Sequence, residues 1–339
     1  MVVFQVNSIP LKDVIISLAK SFGVAHNNQG DEYFLFLPKE LGEGEIRGVN
    51  FDSGLGLLIY KVVFKEDIRL EFTLDEIHPV KFIYPLRGLL RYEFEDERIK
   101  YDIAEYRSAI VASKRKNGHI LEFIRNTQYE IVSVEIDRKT FGKQSHYELT
   151  KWDSKLQNVL RDVNAEQRFL HISNSGLYFK DVLLSAEKYK DFLLARMFNL
   201  QSITMEIFVN QIAQYDDDIL NPAERVILRI SELKTIEDLG DFIATNITDE
   251  HTIKNLALRS GLSAAKLQYG FKYLFSLSVN EFVINTRLGR AYSLLQNREY
   301  NVSDVVMAVG LESNSYFTRI FKKRYGITPN EFRKVFNKV

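Results

Sequence analysis

The feature that most constrains this 339-residue chain is a segment that recurs near its C-terminal end. Phe271-Lys272-Tyr273-Leu274-Phe275-Ser276-Leu277-Ser278-Val279-Asn280-Glu281-Phe282 is echoed fifty residues later by Phe321-Lys322-Lys323-Arg324-Tyr325-Gly326-Ile327-Thr328-Pro329-Asn330-Glu331-Phe332. Upstream, Leu256 and Val305 precede matching Gly-Leu pairs, Gly261-Leu262 and Gly310-Leu311. Each copy reads helix, glycine turn, helix. That is the layout of a helix-turn-helix unit, whose second helix enters the major groove of DNA. The repeat therefore constrains both the fold and the partner.

Charge supports the same partner. The formal net charge is zero, but from Thr252 to Val339 there are 14 lysines and arginines against five aspartates and glutamates, a net of +9. The remainder carries 31 basic and 40 acidic residues, a net of −9. Such a division points to a polyanion for the C-terminal part, while the acidic remainder limits indiscriminate adhesion to DNA. The length accommodates two domains with cores of their own, and 45% hydrophobic with 27% charged residues is ordinary for a soluble globular chain. No apolar run approaches the ~18–20 residues that span a bilayer. Residues Met1 to Asn7 lack the basic start and apolar stretch of a signal peptide. A cytoplasmic protein with no membrane partner is expected. The absence of cysteine excludes disulfides, thiolate zinc sites, iron–sulfur clusters and thiol nucleophiles.

The pattern along the chain predicts an α+β protein. Leu11, Val14, Ile15, Leu18 and Phe22 form one apolar stripe of a short helix between Ser8 and Gly23. From Tyr33 to Arg138, short β-prone runs alternate with turn signals, which predicts an antiparallel barrel or jelly roll with Asn117-Gly118 as a hairpin turn. Within Tyr129 to Asp137, Val132, Val134 and Ile136 alternate with Ser133, Glu135 and Asp137. From Glu148 to Tyr215 the pattern is helical, with apolar stripes through Phe192, Phe198 and Ile212 broad enough to pack on the barrel and on a partner helix, so a homodimer is expected. Asn221-Pro222-Ala223-Glu224 reads as a helix start and the boundary between sensor and effector regions. The expected division is residues 1–147 as the sensing domain, 148–220 as a helical linker and dimerisation region, and 221–339 as an all-α DNA-binding domain. Its helix-turn-helix units would span 252–275 and 303–325, joined by a long helix from Asn280 to Gln296.

Each second helix must keep one face for packing and one for DNA. In the first, Leu267, Phe271 and Leu274 form the buried stripe, leaving Ala264, Ala265, Lys266, Gln268, Tyr269 and Lys272 outward or sideways. In the second, Phe317, Ile320 and Phe321 pack, leaving Asn314, Ser315, Tyr316, Thr318, Arg319 and Lys322. Gln and Arg are suited to adenine and guanine edges, Lys, Ser and Asn to phosphates, and alanines allow close approach to a thymine methyl.

These residues resemble the AraC/XylS family of transcription regulators. The resemblance covers the last hundred residues. It rests on Leu256-Ala257 before Gly261, Leu267 to Lys272, Arg287-Leu288 with Ala291 and Leu294-Leu295, Ser315 to Lys323 after Gly310, and Gly326-Ile327-Thr328-Pro329-Asn330-Glu331-Phe332. Ser276 stands where the family usually has glycine, and Val306 where it usually has alanine. The resemblance implies two recognition helices entering successive major-groove segments on one face of double-stranded operator DNA. It places Ala265, Gln268, Tyr269, Ser315, Tyr316 and Arg319 where bases are read, and Lys272, Ser313, Asn314 and Lys322 where phosphates are held. RNA polymerase is counted among the candidate partners of such an activator.

Leu37-Pro38, Gly42 to Ile46, Gly56-Leu57-Leu58 and Gly270 resemble, at lower specificity, the pyochelin-regulator-like branch of that family. This implies a cupin-like barrel sensing a small-molecule effector, with a siderophore-like ligand as one candidate. Aromatic residues from Tyr33 to Phe94 would line a pocket or fill the core, and Arg87, Arg91, Arg107 and Lys114 would pair an anionic ligand or face solvent. The six histidines are scattered, with no His-x-His pair, so no metal site, cofactor or enzymatic activity is expected. Two other readings are a barrel with enzymatic or binding-only activity carried on a DNA-targeting domain, and a packaging protein that binds DNA by charge alone.

Overall fold

Short β-branched and aromatic runs, broken by glycine and charged turns, fold into thirteen strands among the described residues of the first part of the chain. The structure, a computed structural model, describes residues 1–144, 155–174, 189, 191–220, 228–297 and 299–336. It divides into a unit of residues 1–224 and a unit of residues 225–339. The expected helix start at Asn221-Pro222-Ala223-Glu224 lies outside the described residues.

In the first unit the strands are β1 (Val2–Gln5), β2 (His26–Gln29), β3 (Glu32–Phe36), β4 (Gly42–Asn50), β5 (Leu55–Phe64), β6 (Ile68–Phe72) and β7 (Val80–Arg87). They continue as β8 (Leu90–Phe94), β9 (Lys100–Ile103), β10 (Arg107–Ala112), β11 (His119–Phe123), β12 (Gln128–Ile136) and β13 (Phe169–Asn174). Helix α1 (Leu11–Phe22) follows β1, α2 (Arg138–Gln144) and α3 (Lys155–Arg161) follow β12, and α4 (Leu193–Leu220) closes the unit. One sheet has the order β1-β6-β11-β8-β9 and the other β13-β10-β7-β12-β5-β4-β3-β2. All described pairings are antiparallel except β1 with β6.

The two sheets pack face to face in the manner of a jelly roll, and among the described residues no strand pairing closes either one into a barrel. Leu70, Phe72, Tyr92, Leu121 and Phe123 of the smaller sheet meet Leu58, Tyr60, Phe64, Val111 and Ile131 of the larger. The apolar stripe of α1 joins this core, with Leu11, Val14, Ile15 and Leu18 fully buried. The larger sheet is covered on its other face too. There Leu57, Phe82, Tyr84, Val132, Val134 and Ile136 pack against Leu156 and Val159 of α3 and Leu200, Ile203, Ile207 and Phe208 of α4. Burial on both faces explains why β5 and β12 are almost continuously buried.

Two expectations are corrected. The stretch read as helical contains β13, which pairs with β10 at the sheet edge. Asn117-Gly118 does not turn a hairpin, because β10 and β11 lie in different sheets. Its glycine is needed for another reason: a Cβ at Gly118 would lie 2.1 Å from the Phe72 carbonyl oxygen. The polar residues that alternate with Val132 and Val134 also lie inside. Ser133 and Glu135 are buried, and Glu135 Oε1 accepts from Lys81 Nζ at 2.6 Å, with that ammonium 4.7 Å from the Phe72 ring centroid. Lys81 is thus a buried cation of this unit, as are Arg138 and Arg196, while Arg87, Arg107 and Lys114 are exposed. His78 and His119, distant in sequence, bring their rings to 5.5 Å beside this pair. Among the described residues no group of three or more histidines and carboxylates is arranged to hold a metal ion.

The second unit is helical: α5 (Ile230–Thr245), α6 (Ile253–Ser260), α7 (Ala264–Phe275), α8 (Val279–Leu295), α9 (Val302–Ala308), α10 (Asn314–Tyr325) and α11 (Pro329–Phe336). Among the described residues, no helix of either unit is long and apolar enough to cross a membrane.

Candidate nucleic-acid interface

The sequence repeat is a repeat of helix-end chemistry. Thr252, Ser263, Asn301 and Ser313 each cap a helix by accepting a backbone N–H three residues on. The two turn glycines, Gly261 and Gly310, share the same left-handed φ of 71°. At Gly310 a Cβ would meet Thr248 Cα at 2.7 Å, so space as well as backbone conformation demands glycine there. After the second helix of each copy the chain again turns left-handed, at Ser276 with φ 58° and at Gly326 with φ 79°. A reciprocal cap then starts the following helix in both copies, Ser278 with Glu281 and Thr328 with Glu331. Hydrogen bonds from Ser278 and from Thr328 hold these two carboxyls below the usual carboxylate range.

These ends fix two helix pairs, α6–α7 and α9–α10, on the shared helix α8. In α7, Leu267, Gly270, Phe271 and Leu274 are buried. In α10, Phe317 and Phe321 are buried against Leu288, Ala291 and Leu295 of α8, Val305 and Val306 of α9, and Phe332 of α11. Val306, which stands where the resemblance expects alanine, fits this core at 3% exposure. Arg287 of α8 donates to the Ile247 and Asp249 carbonyls at 3.1 and 2.9 Å, tying α8 to the turn after α5.

The candidate DNA-contacting residues fall into two groups. Ala265 and Lys272 on α7, and Ser313, Asn314, Ser315, Arg319 and Lys322 on or capping α10, are exposed. Lys266, Gln268, Tyr269 and Tyr316 are partly buried. Lys266 Nζ donates to Glu232 Oε1 of α5 at 2.5 Å, and Gln268 Oε1 accepts the Val279 N–H at 3.3 Å. Tyr269 stacks on Tyr273 with ring centroids 6.1 Å apart and planes 14° from parallel. The hydrogen bond from Lys266 lowers the pKa of the Glu232 carboxyl. Asn314 Nδ2 donates to Ser303 Oγ at 3.1 Å, and the Arg319 guanidinium lies 5.4 Å from the Tyr316 ring centroid. Sequence reasoning missed Glu232 as a partner of this surface, although its place three residues into α5 marks it as a capping carboxylate. It also passed over Lys323 and Arg324, which extend the exposed basic edge of α10.

The family model described as a helix-turn-helix domain matches residues 256–335, which spans both helix pairs and α8. The DNA-binding dual transcriptional regulator Rns of Escherichia coli is 27% identical over 220 residues, covering 64% of this chain and 69% of that protein. The probable transcription factor PqrA of Proteus vulgaris is 33% identical over 101 residues, covering 29% of this chain and 83% of its own length. Among solved structures, a transcriptional regulator with an AraC-type DNA-binding domain from Chromobacterium violaceum is 25% identical, with 31% of this chain and 90% of that one covered and a TM-score of 0.28. With two helix-turn-helix pairs on one connecting helix and these relatives, the chain belongs to the AraC/XylS family of DNA-binding transcription regulators.

Proposed function

We propose that this regulator binds operator DNA through the exposed faces of α7 and α10 and that its first unit answers to a small-molecule effector. The observation that carries the DNA reading is the exposed edge of α10, where Ser315, Arg319, Lys322 and Lys323 stand outward from a helix anchored by Phe317 and Phe321. Ala265 and Lys272 of α7, with Tyr269, would contribute the first contact block, and Ser313 and Asn314 would hold phosphates at the N-terminal end of α10. A transcription regulator of this kind works in the cytoplasm, needs no enzymatic step, and as an activator meets RNA polymerase.

Two features support an effector role for residues 1–224. Tyr60 Oη, Glu135 Oε2 and Arg138 Nε are buried without hydrogen-bond partners, and His78 lies beside the Asp75 backbone with no well-formed hydrogen bond at either ring nitrogen. Such atoms carry a desolvation cost that a polar ligand admitted by a shift of the sheets would relieve. Helix α4 is positioned to register that shift. Arg196 near its start donates to both oxygens of buried Glu32 on β3, at 2.6 and 2.8 Å, and Asp218 near its end accepts from Ser173 of β13 at 2.5 Å. An effector that favours one placement of α4 shifts the population of DNA-binding states. The outer side of α4 leaves Leu194, Phe198, Met205 and Val209 exposed at helical spacing, a stripe suited to the same helix of a second copy.

Sedimentation of the full chain with and without Phe198→Asp and Val209→Asp tests the dimer. The expected result is a dimer that the double variant converts to monomer, and a wild-type monomer at micromolar concentration contradicts it. A thermal-shift screen of neutral and anionic small molecules tests the sensor, with hits expected to lose their effect in Glu135→Gln and to alter DNA affinity in the wild type. A hit that stabilises the protein without changing DNA affinity argues against the regulatory role.

A further inference from the structure

We infer that the two recognition helices divide the reading of DNA unequally: α10 supplies the hydrogen-bonded discrimination between bases, while α7 docks by close apolar approach and phosphate contact. The inference rests on the DNA-binding reading above and specifies the chemistry of the operator.

Because the helices are copies, they compare position by position. Setting Phe271 on Phe321 places Ala265 against Ser315, Lys266 against Tyr316, Gln268 against Thr318, Tyr269 against Arg319 and Lys272 against Lys322. Two side chains with reading capacity on α7, Lys266 and Gln268, are held by partners within the protein. Glu232 neutralises the Lys266 ammonium at 2.5 Å. Gln268 turns its Oε1 to the Val279 N–H, one of the donors that the first turn of α8 cannot satisfy within its own helix. A glutamine reads adenine by presenting its carbonyl and its amide together to N6 and N7, and this carbonyl is held away from the outer face. Gln268 is therefore a positioning residue that fixes α7 against α8. Ala264, Ala265 and Lys272 remain exposed on this helix.

On α10 the equivalent surface is open and cationic. Arg319 is exposed, and its guanidinium rests near the Tyr316 ring, a contact that orients the group while leaving its N–H donors for a base edge. Ser315 is exposed one turn earlier, and Lys322, Lys323 and Arg324 follow in the last turn. Arginine matches the O6 and N7 acceptors of guanine, whereas an alanine methyl offers only van der Waals contact to a thymine methyl. The operator expected from this surface is asymmetric. One block has a strongly required guanine under α10, and the other, under α7, is richer in A·T pairs and tolerant of substitution.

The test is selection from a randomised DNA pool with the full-length wild type, Arg319→Ala and Gln268→Ala, followed by affinity measurements on the selected sites. The wild type should return two blocks of unequal information, the stronger containing the guanine. Arg319→Ala should erase that guanine preference and weaken the wild-type site by about 10–100-fold. Gln268→Ala should weaken all sequences by a common factor and leave every base preference unchanged. If that variant is unstable, Gln268→Glu keeps the acceptor for Val279 but loses the amide donor, and should likewise preserve the motif. Relaxation of an adenine in the weaker block by either Gln268 variant, or an intact motif in Arg319→Ala, overturns the division of labour. Failure of the wild type to return any motif would instead overturn the sequence-specific reading on which the inference rests.

Discussion

Acidification should destabilise the first unit through His78. This ring is 1% exposed, and burial together with the nearby Lys81 ammonium lowers its pKa from 6.5 to about 4. An unfolded chain takes up a proton on this histidine near pH 6.5, whereas the folded unit resists until about pH 4. The unfolded state therefore binds more protons across that window, so the stability present above pH 6.5 is lost as the pH falls toward 4. The shift corresponds to about 3 kcal/mol once both values are passed, of which about 2 kcal/mol is lost by pH 5. Fully buried His119, also held well below its ordinary value by burial, acts in the same direction. Burial raises the Glu135 carboxyl, which acts in the opposite direction. Comparison with His78→Phe isolates the histidine. Urea unfolding followed by circular dichroism at pH 7.5 and pH 5 should show a wild-type loss that exceeds the variant's by about 2 kcal/mol. Equal losses in the two proteins would refute the assignment.

Three further outcomes follow from the second unit. Ser276→Gly should raise stability by about 0.5–1 kcal/mol in thermal melts, because a serine at φ 58° carries a left-handed strain that glycine does not; no gain would show that the turn adapts. Gly310→Ala should cost about 2 kcal/mol or more and Gly261→Ala only about 1, since both share φ 71° but only Gly310 faces Thr248 Cα at 2.7 Å; equal costs would contradict the close approach. Glu232→Gln should free Lys266 for a phosphate and steepen the fall of log affinity with log salt by about 0.9, an effect expected to vanish in a Lys266→Ala background and measurable by fluorescence anisotropy across salt concentrations.

The C-terminal unit was readable because its information is local. Caps at Thr252, Ser263, Asn301 and Ser313, left-handed glycines at 261 and 310, and the apolar spacing of Leu267, Phe271, Phe317 and Phe321 each act within a turn or two of the chain. Helix α1 was readable for the same reason. The first unit depends on distant pairings. The alternation around Val134 does not reveal that α3 and α4 cover one side of the sheet and a second sheet the other, so that Ser133 and Glu135 are buried as well. Lys81 reads in sequence as one polar residue in a strand, and only its register opposite Glu135 reveals a buried pair. His78 and His119 meet because the β6–β7 and β10–β11 connections both cross between the two sheets. At the interface, sequence identified outward positions on α7 but not that Glu232 and Val279 would engage two of them.

Tandem, sequence-specific reading of DNA by α7 and α10 is tested by selection of bound fragments from a randomised duplex pool by the wild-type chain at moderate salt. An asymmetric motif of two blocks separated by about one helical turn is the expected result. Recovery of no motif, with affinity collapsing as salt rises, would leave only electrostatic attraction and contradict it.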